Sequence, residues 1–303
     1  MTPKPTAVVT GGAGFIGSHM VDVLLESGYA VRVIDDFAGN PDLAVEHADI
    51  RGLTPGSALF EDARFVFHFA GIGDIVPSIE KPIDYMDINV QGTVKVLECA
   101  RAAGVRKLVY AASSSCYGLA DVPTREDHPI DPKYPYALSK YQGEQAALHW
   151  HKVYGLPVNS VRIFNAYGTR VRTTGAYGAV FGVFFKQKLA GKPFTVVGDG
   201  TQGRDFLYVT DVARAFLAAA ETERTGEIYN LGAGNPQTVN RLVELLGGEV
   251  VYIPKRPGEP DCTWADIGKI TRDLGWAPVV SFEEGVGRMT AEIENWRDAP
   301  LWD

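Results

Sequence analysis

The sequence predicts an α/β protein: a Rossmann-type, doubly wound parallel sheet followed by a smaller mixed α/β lobe. Two observations support this fold class. Short apolar, β-branched runs alternate with helical patterns through the first half of the chain, and a glycine cluster separates the first run from the first helix. Strands that alternate with helices at this pace form right-handed βαβ units, which build a parallel sheet.

The first half of the chain contains five predicted strands and three predicted helices. Glycine ends two of the helices, at Gly28 and Gly104, as is common at helix C-termini. The strands are expected at 6–10, 30–34, 65–69, 107–111 and 157–163, and the helices at 16–26, 89–103 and 136–154. Beyond Asn165, where glycine and proline become frequent, short strands are expected at 195–197, 227–231 and 250–253, and a short helix at 241–246.

These elements suggest two structural units. Residues 1–164 are expected to form an NAD-binding domain, and residues 205–232 to return to it through the strand at 227–231. Residues 165–303 are expected to form the smaller substrate-binding lobe. Ligands of such proteins commonly bind between two units, so the active site is expected there.

Composition and charge exclude several functional classes. The net charge of −8 argues against a nucleic-acid or anionic-membrane surface. Three widely spaced cysteines indicate no disulfide framework, and no pair of them has zinc-ligand spacing, so no metal site is expected. The apolar runs are too short to span a bilayer and no signal-peptide pattern is present, which favours a cytoplasmic protein.

The glycine cluster has the spacing of a dinucleotide-binding turn. Gly11 permits a tight turn, Gly14 lets the backbone approach a pyrophosphate, and Gly17 lets the helix pack closely on the strand. The N-terminus of that helix, with Phe15 and Ile16, offers N–H groups and a positive dipole end to the phosphates. The cofactor is therefore expected to be a dinucleotide.

Two carboxylates at the end of the second strand indicate NAD rather than NADP. Asp35 stands 18 residues after Gly17, and Asp36 follows it. A carboxylate here accepts hydrogen bonds from the ribose hydroxyls and repels an additional phosphate. Weaker candidates for cofactor contact are the pair Asp49 and Ile50, near the adenine, and the small-residue segment Phe69, Ala70 and Gly71 at the end of the third strand.

A tyrosine and a lysine four residues apart form the predicted catalytic pair. Tyr136 and Lys140 lie on one face of a helix, where the ammonium is expected to lower the pKa of the phenol. Such a phenol can accept a hydroxyl proton while hydride leaves the same carbon. The fourth strand ends in three serines, among them Ser113 and Ser114, which can contact the reacting hydroxyl.

These motifs resemble those of the extended short-chain dehydrogenase/reductase family, in its nucleotide-sugar epimerase/dehydratase branch. The segments T-G-G-A-G-F-I-G, H-F-A-G, S-S-S-C-Y-G, Y-A-L-S-K, R-I-F-N-A-Y-G, G-D-G-T-Q-G-R-D-F and R-P-G-E occur in the family's order from Val8 to about Trp276. The resemblance implies a nucleotide-sugar substrate, bound NAD and a homodimer that pairs through the helices at 89–103 and 136–154.

The resemblance also assigns roles to individual residues. Ser113 would be the catalytic serine, Tyr136 the base, and Lys140 the residue that holds the nicotinamide ribose. Arg204 and Arg256 would clamp the diphosphate, a task for which the guanidinium fork is well suited. The remaining substrate-binding residues would be Ser114, Asn165, Arg172, Glu259 and Thr263.

Within this branch the serine turn favours 4-epimerisation. Dehydratases carry an acid next to the catalytic serine or threonine, whereas this chain has Ser114 and Ser115. Cys116 stands one residue before the tyrosine of the Y-G pair and is interpreted as a packing residue. Two alternatives stay open. One is a nucleotide-sugar 4,6-dehydratase or related modifying enzyme with its acid elsewhere, at Asp121, Glu126 or Asp127. The other is a silent NAD-binding or nucleotide-sugar-binding regulator.

The nucleotide is expected to be UDP, by analogy with the branch, and the sugar stays open. Thr263 occupies the position of a gating residue, and its small size admits N-acetylhexosamines. Arg170 or Arg172 could meet a carboxylate, which would favour a uronic acid. Hexoses, N-acetylhexosamines and uronic acids are therefore all candidate sugars.

Overall fold

The computed structural model describes residues 4–36, 45–171, 173, 180–255 and 260–300. The strands in these ranges are β1 Thr6–Thr10, β2 Ala30–Asp35, β3 Val45–His47, β4 Ala63–His68, β5 Lys107–Ser113, β6 Val158–Ile163, β7 Asn165–Tyr167, β8 Phe194–Val197, β9 Gly203–Arg204, β10 Phe206–Tyr208, β11 Glu227–Leu231, β12 Gln237–Thr238, β13 Val250–Ile253 and β14 Cys262–Thr263. The α-helices are α1 Phe15–Glu26, α2 Ile75–Glu80, α3 Pro82–Met86, α4 Thr93–Ala103, α5 Pro135–Tyr154, α6 Val180–Leu189, α7 Val209–Glu221, α8 Val239–Leu246, α9 Gly268–Leu274 and α10 Phe282–Ala291.

Seven of the described strands form one parallel sheet in the order β11-β6-β5-β4-β1-β2-β3. The chain begins in the middle of this sheet, builds outward through β2 and β3, and then returns to the other side of β1 through β4. The strand order thus reverses between β1 and β4. In open parallel sheets ligands bind at the carboxyl ends of the strands beside such a reversal, so the topology places a site next to the glycine turn after β1. This architecture is the Rossmann-type sheet that the sequence predicts.

Two apolar layers cover the sheet, one on each face. On one face, Met20 and Leu24 of α1 share a core with Phe216 of α7. On the other face, Leu97 of α4 and Ala147 of α5 belong to a second core. Because both faces are covered, the central strands are apolar on both sides, as is typical of parallel sheets.

The C-terminal lobe has an aromatic core of its own. Tyr167 stacks on Phe181 with ring centroids 4.8 Å apart, and Phe206 stacks on Phe282 at 5.2 Å. Short strand pairs surround this core, namely β7 with β10, β8 with β13, and β9 with β12 and β14. The division at residue 164 stays a prediction, although β11 does return to the main sheet beside β6.

The predicted strands and helices of the first half occur close to their expected positions, with two informative differences. Strand β5 continues to Ser113, so this serine is the last strand residue rather than part of the following loop. The helix expected at 89–103 begins in a π-helical turn, Asp87–Gly92, which runs into α4.

The expectation of only short elements after Asn165 is wrong. Helix α7 has 13 residues; it buries Val212 and Phe216 in the core on the sheet and Val209 in the aromatic core of the lobe. These positions have helical spacing, but they follow a glycine-rich segment that obscured the pattern. Helices α2, α3, α6, α9 and α10 were also not predicted.

A buried carboxylate connects the lobe to the sheet. Asp205 is fully buried, and its oxygens accept hydrogen bonds from the backbone N–H groups of Ala233 at 2.9 Å, Gly234 at 3.2 Å and Ala265 at 2.9 Å. Burial raises the pKa of Asp205, and these N–H donors oppose that rise. Asp205 therefore joins the segment after β11 to the segment after β14.

We expect Asp205→Ala to lower the free energy of unfolding by about 3 kcal/mol or more, because three buried N–H donors would lose their acceptor. Chemical denaturation measures this loss. Asp261→Ala is the control, since Asp261 is exposed and pairs only with Lys255 among the contacts of the described residues, and exposed pairs add little stability. Equal stabilities for the two variants would contradict the role of Asp205.

Candidate active site at the carboxyl edge of the sheet

The glycine turn leaves no space for side chains at two positions. Gly11 has φ +73°, and a Cβ there would lie 2.6 Å from the backbone nitrogen of Ala70. A Cβ on Gly17 would lie 2.1 Å from the carbonyl oxygen of Gly11. Gly14 caps α1, and no side chain of the described residues caps that helix end. The bare N-terminus of α1 fits a pyrophosphate, as the sequence predicts.

Asp35 faces this turn at the end of β2. Its Oδ2 accepts a hydrogen bond from the backbone N–H of Ala13 at 2.9 Å, and the residue is buried. Asp36, the next residue, is exposed. The contact holds the Asp35 carboxylate beside the glycine turn, and the roles of Asp35 and Asp36 in cofactor binding stay predictions.

The segment after β4 approaches both the glycine turn and helix α5. Phe69 packs on Phe216 with ring centroids 4.6 Å apart, and Ala70 is the residue that excludes a side chain at Gly11. A Cβ on Gly71 would lie 2.7 Å from Oδ1 of Asn89 and 4.0 Å from Nζ of Lys140. Ala70 and Gly71 thus let this segment pack closely against the glycine turn and Asn89, and contact of Phe69, Ala70 and Gly71 with a cofactor stays a prediction.

Asn89 is a site-building residue that the sequence analysis missed. Its amide is buried, accepts from the N–H of Ile72 at 2.9 Å, and donates to the carbonyl of Ile72 at 3.0 Å and to Oγ of Ser139 at 2.9 Å. The amide lies within the π-helical turn, and such turns are frequent at functional sites. Asn89 therefore joins the segment after β4 to α5, immediately before Lys140.

Asp49 and Ile50 have clear structural contacts. Asp49 accepts hydrogen bonds from the guanidinium of Arg51, including one of 2.9 Å from Nε, and this pairing lowers the pKa of its carboxyl. Ile50 is buried against Gly92, where a Cβ would lie 2.5 Å from its Cδ1. Contact of these two residues with an adenine stays a prediction.

The serine turn begins at the last residue of β5. The Oγ of Ser113 accepts a hydrogen bond from the N–H of Ser115 at 3.2 Å and lies 2.8 Å from the Oγ of Ser115. Ser114–Tyr117 form a short 3₁₀ helix, in which Ser114 is half-buried and Cys116 is buried. Burial raises the pKa of the Cys116 thiol to about 12, so this cysteine is an inert packing residue in the structure.

Tyr136 and Lys140 lie on the first turns of α5, with Pro135 at the helix start. Burial raises the pKa of Tyr136, whereas the Ser113 hydroxyl lowers it and the charge of Asp74 raises it. This net direction is opposite to the predicted one, because the phenol is itself buried and burial disfavours the charged phenolate. Lys140 is also buried, with Nζ 4.7 Å from the centre of the Tyr110 ring, and burial lowers its own pKa to about 8.

Three predicted substrate residues meet beside this edge. Thr263 pairs in register with Arg204, and its Oγ donates a hydrogen bond of 2.6 Å to Oδ1 of Asn165. Arg204 donates to the carbonyl of Pro260 at 3.0 Å. Ser113 is in register with Ile163, two residues before Asn165, so the two segments leave the sheet together.

The other candidates divide into two groups. Arg172, Arg256 and Glu259 lie outside the described residues. Arg170 forms an ion pair of 2.6 Å with Asp22 of α1, which occupies its guanidinium away from the serine turn.

The carboxylates proposed for a dehydratase lie in other surroundings. Glu126 accepts a hydrogen bond from the N–H of Asn230 at 2.8 Å, and Asp127 is exposed and pairs with Arg125. Asp121 is also exposed. Asp74, which the sequence analysis missed, is the carboxylate whose charge acts on Tyr136.

The described residues contain no cluster of three or more histidine, cysteine, aspartate or glutamate side chains that could hold a metal ion. None of the helices in the same ranges combines the length and the apolar character that a membrane span needs.

Comparison with known proteins identifies the family. Residues 7–232 match the model of the NAD dependent epimerase/dehydratase family. A putative UDP-glucose 4-epimerase of Methanocaldococcus jannaschii is 37% identical, with 95% of this chain and 98% of that protein covered.

Solved structures that resemble this chain indicate the same family. A UDP-N-acetylglucosamine 4-epimerase of Methanobrevibacter ruminantium in complex with UDP-N-acetylmuramic acid has a TM-score of 0.88 at 29% identity, covering 96% of this chain and 100% of that one. A UDP-glucuronic acid 4-epimerase of Bacillus cereus, in complex with UDP-glucuronic acid and NAD, has a TM-score of 0.86 at 32% identity, covering 96% and 99%. The chain therefore belongs to the NAD dependent epimerase/dehydratase family, and it is an NAD-dependent enzyme of that family.

Proposed function

We propose that the protein is a UDP-sugar 4-epimerase that transiently oxidises carbon 4 of its substrate. The observation that carries this proposal is the serine turn: Ser113 ends β5 at the carboxyl edge of the sheet, close enough to Tyr136 of α5 to lower its pKa, and the next residues are serines and not acids. The pair can handle one hydroxyl proton, and the serine turn offers no second acid for an elimination.

The chain's own groups have distinct tasks in this reaction. When bound, NAD supplies the acceptor for the hydride from carbon 4 and then the donor that returns it to the other face. Tyr136 accepts the proton of the 4-hydroxyl, and Ser113 hydrogen-bonds the same oxygen. Lys140 keeps its proton below about pH 8, so at neutral pH its ammonium favours the phenolate and can hold the nicotinamide ribose.

The cofactor would lie along the glycine turn. Gly11, Gly14 and Gly17 would give its pyrophosphate access to the start of α1, and Asp35 would accept hydrogen bonds from the ribose hydroxyls; the close packing of the turn and the contact of Asp35 with Ala13 support these roles. A carboxylate at that position repels the additional phosphate of NADP. Contact of Phe15, Ile16, Asp36 and the segment 69–71 with NAD belongs to the same proposal.

The nucleotide sugar would bind between the serine turn and the cluster of Asn165, Arg204 and Thr263. Ser114 faces it from the turn, and Arg204 is one arm of the diphosphate clamp, with Arg256 as the second arm. Glu259 would bind the nucleotide ribose, and Arg172 is the remaining candidate for a carboxylate. Thr263 is small and is held by Asn165, which leaves room for an N-acetyl group.

Incubation with UDP-hexoses, UDP-N-acetylhexosamines and UDP-uronic acids tests the reaction. We expect a product of unchanged mass whose sugar-proton couplings show an inverted carbon 4, because the site moves one proton and one hydride and releases nothing. Mass spectrometry and proton NMR read both properties. Loss of water with a 6-deoxy signal would instead show a dehydratase, with Asp74 as the first acid to replace, and no turnover of any sugar would favour a silent binder.

Tyr136→Phe should keep the fold and the bound NAD but lower kcat by about 100-fold or more, because the hydroxyl that accepts the proton is lost. Turnover of the preferred sugar and the absorbance of bound cofactor measure the two properties. Tyr141→Phe, five residues further along α5, is the matched control and should turn over normally. Normal turnover by Tyr136→Phe would mean that another group is the base.

We also propose a homodimer that pairs through α4 and α5 and the helices beside them. Exposed apolar side chains on this side include Ile83, Val153 and Tyr154, at 80%, 53% and 52% exposure. Apolar surface of this kind is typical of interfaces.

Light scattering at micromolar concentration should therefore give twice the chain mass of 32.9 kDa. Val153→Asp should weaken the dimer, because it would bury a charge in the interface. Val279→Asp is the control, since Val279 is 67% exposed but lies before α10. A monomer at every concentration would refute the proposed dimer.

A further inference from the structure

A buried polar network lies directly behind the serine turn. Arg162 and Glu144 form an ion pair of 2.6 Å, with both side chains at most 3% exposed. Glu144 also accepts a hydrogen bond from Ser160 at 2.9 Å. Arg162 donates to the hydroxyl of Tyr117 at 2.7 Å, and that hydroxyl donates to Oδ1 of Asn230 at 2.7 Å.

The network joins five separate segments of the chain. Glu144 lies on α5, Arg162 on β6, Tyr117 in the serine turn and Asn230 on β11. Asn230 in turn donates to the carbonyl of Thr124 at 2.9 Å. We call Glu144, Arg162, Tyr117 and Asn230 the Tyr117 network.

The hydroxyl of Tyr117 is the centre of this network because it both accepts and donates. Burial raises the pKa of Tyr117, so the hydroxyl keeps the proton that it donates to Asn230. Burial alone would disfavour the charge of Arg162, but the hydrogen bonds of Glu144 outweigh it and raise the pKa of the guanidinium. The donor and acceptor directions around Tyr117 are therefore set.

A short, rigid turn connects Tyr117 to Ser113. The 3₁₀ helix Ser114–Tyr117 has the Oγ of Ser113 at its start and Gly118, with φ +67°, at its end. The carbonyl of Cys116 accepts from the N–H of Asp131 at 2.9 Å. A Cβ on Gly118 would lie 2.4 Å from the carbonyl oxygen of Asp131, so the end of the turn is closely packed.

We propose that Tyr117 is a positioning residue: its hydroxyl, held by Arg162 and Asn230, fixes the far end of the serine turn and thereby aims the Ser113 hydroxyl at Tyr136. The role of Ser113 in turnover rests on the proposed function, whereas its effect on the pKa of Tyr136 does not. The ring of Tyr117 packs beside His128 and Phe164, but ring packing alone tolerates rotation and sliding. Two hydrogen bonds of opposite direction define one position.

Tyr117→Phe removes only the hydroxyl, and Tyr229→Phe is its matched control. Tyr229 lies next to Asn230 on β11 and is fully buried, and its hydroxyl has no hydrogen-bond partner within the described part of the chain. Both variants lose one buried phenolic oxygen, but only Tyr117→Phe disconnects the network. Measurements are made well below the unfolding temperature of either variant, so that a loss of stability does not affect the titration or the turnover.

The first readout is the titration of Tyr136 in the NAD-loaded protein without substrate. The near-ultraviolet absorbance of phenolate is followed against pH for each protein and for the same protein with Tyr136→Phe added. The difference between the two curves is the titration of Tyr136. Ser113 lowers the pKa of Tyr136, so a misaimed Ser113 should raise it in Tyr117→Phe and not in Tyr229→Phe. The other groups near Tyr136, namely Asp74, Tyr85, Tyr110 and Lys140, are unchanged in both variants.

The second readout is turnover of the sugar that the wild type prefers. We expect Tyr117→Phe to lower kcat by about 10-fold to about 100-fold, the range that small displacements of a reacting group cause, with KM unchanged. Tyr229→Phe should match the wild type. Equal titration of Tyr136 in the two variants would overturn the proposal, whether or not turnover falls.

Two further outcomes are decisive. If Tyr117→Phe does not retain NAD, Asn230→Ala carries the same test, and failure of both to retain NAD would overturn a positioning role in favour of a purely structural one. If the wild type converts none of the UDP-sugars, the proposed function fails, and the titration of Tyr136 alone still decides the role of Tyr117.

Discussion

The backbone around the first turn has no room for a side chain at Gly11 or Gly17, and the rest of the site is built around that constraint. At Gly17 a single methyl group would lie 2.1 Å from a carbonyl oxygen, and at Gly11 it would collide with the segment after β4. Strand β1, helix α1 and that segment are therefore in backbone contact. Because of this contact the helix N-terminus, Asp35 and the small residues Ala70 and Gly71 share one edge of the sheet, the edge at which we propose that the dinucleotide binds.

The second half of the chain is connected by buried carboxylates as well as by apolar packing. Asp205 accepts three backbone N–H groups, and Asp211 accepts those of Val279 and Val280 at 3.1 and 2.9 Å. Irregular segments leave backbone donors without partners, and buried donors need acceptors. Asp205 lies directly after Arg204 and accepts a hydrogen bond from the backbone N–H of Ala265, two residues after Thr263. The same carboxylate therefore also holds the region that contains Arg204 and Thr263.

Burial controls the charges near the catalytic helix. His68 is fully buried between Thr10 and Thr93, and burial lowers its pKa to about 3, so it is neutral. Burial also lowers the pKa of Lys140 and raises that of Tyr136. Interactions between charges are stronger in a buried site than in water, so a charge bound near Tyr136 and Lys140 would shift their pKa values more than it would at the surface.

The sequence by itself determined the parallel sheet, the glycine turn, Asp35 and the pair of Tyr136 and Lys140. These features are local, because each depends on a residue pattern contained within one strand, turn or helix or its immediate neighbour. Helix α7 had such a spacing too, and it was missed only because glycines precede it.

Only the tertiary structure decided which distant residues meet. The contact of Thr263 with Asn165, the connection of Asn89 to Ser139, the action of Asp74 on Tyr136 and the network around Tyr117 join residues up to 113 positions apart. No local pattern encodes such pairs, because they depend on how strands order themselves in the sheet. The direction in which the pKa of Tyr136 is shifted also depends on the tertiary structure. The spacing of Tyr136 and Lys140 places the ammonium on the correct helix face, but burial by other segments sets how strongly each charge is disfavoured.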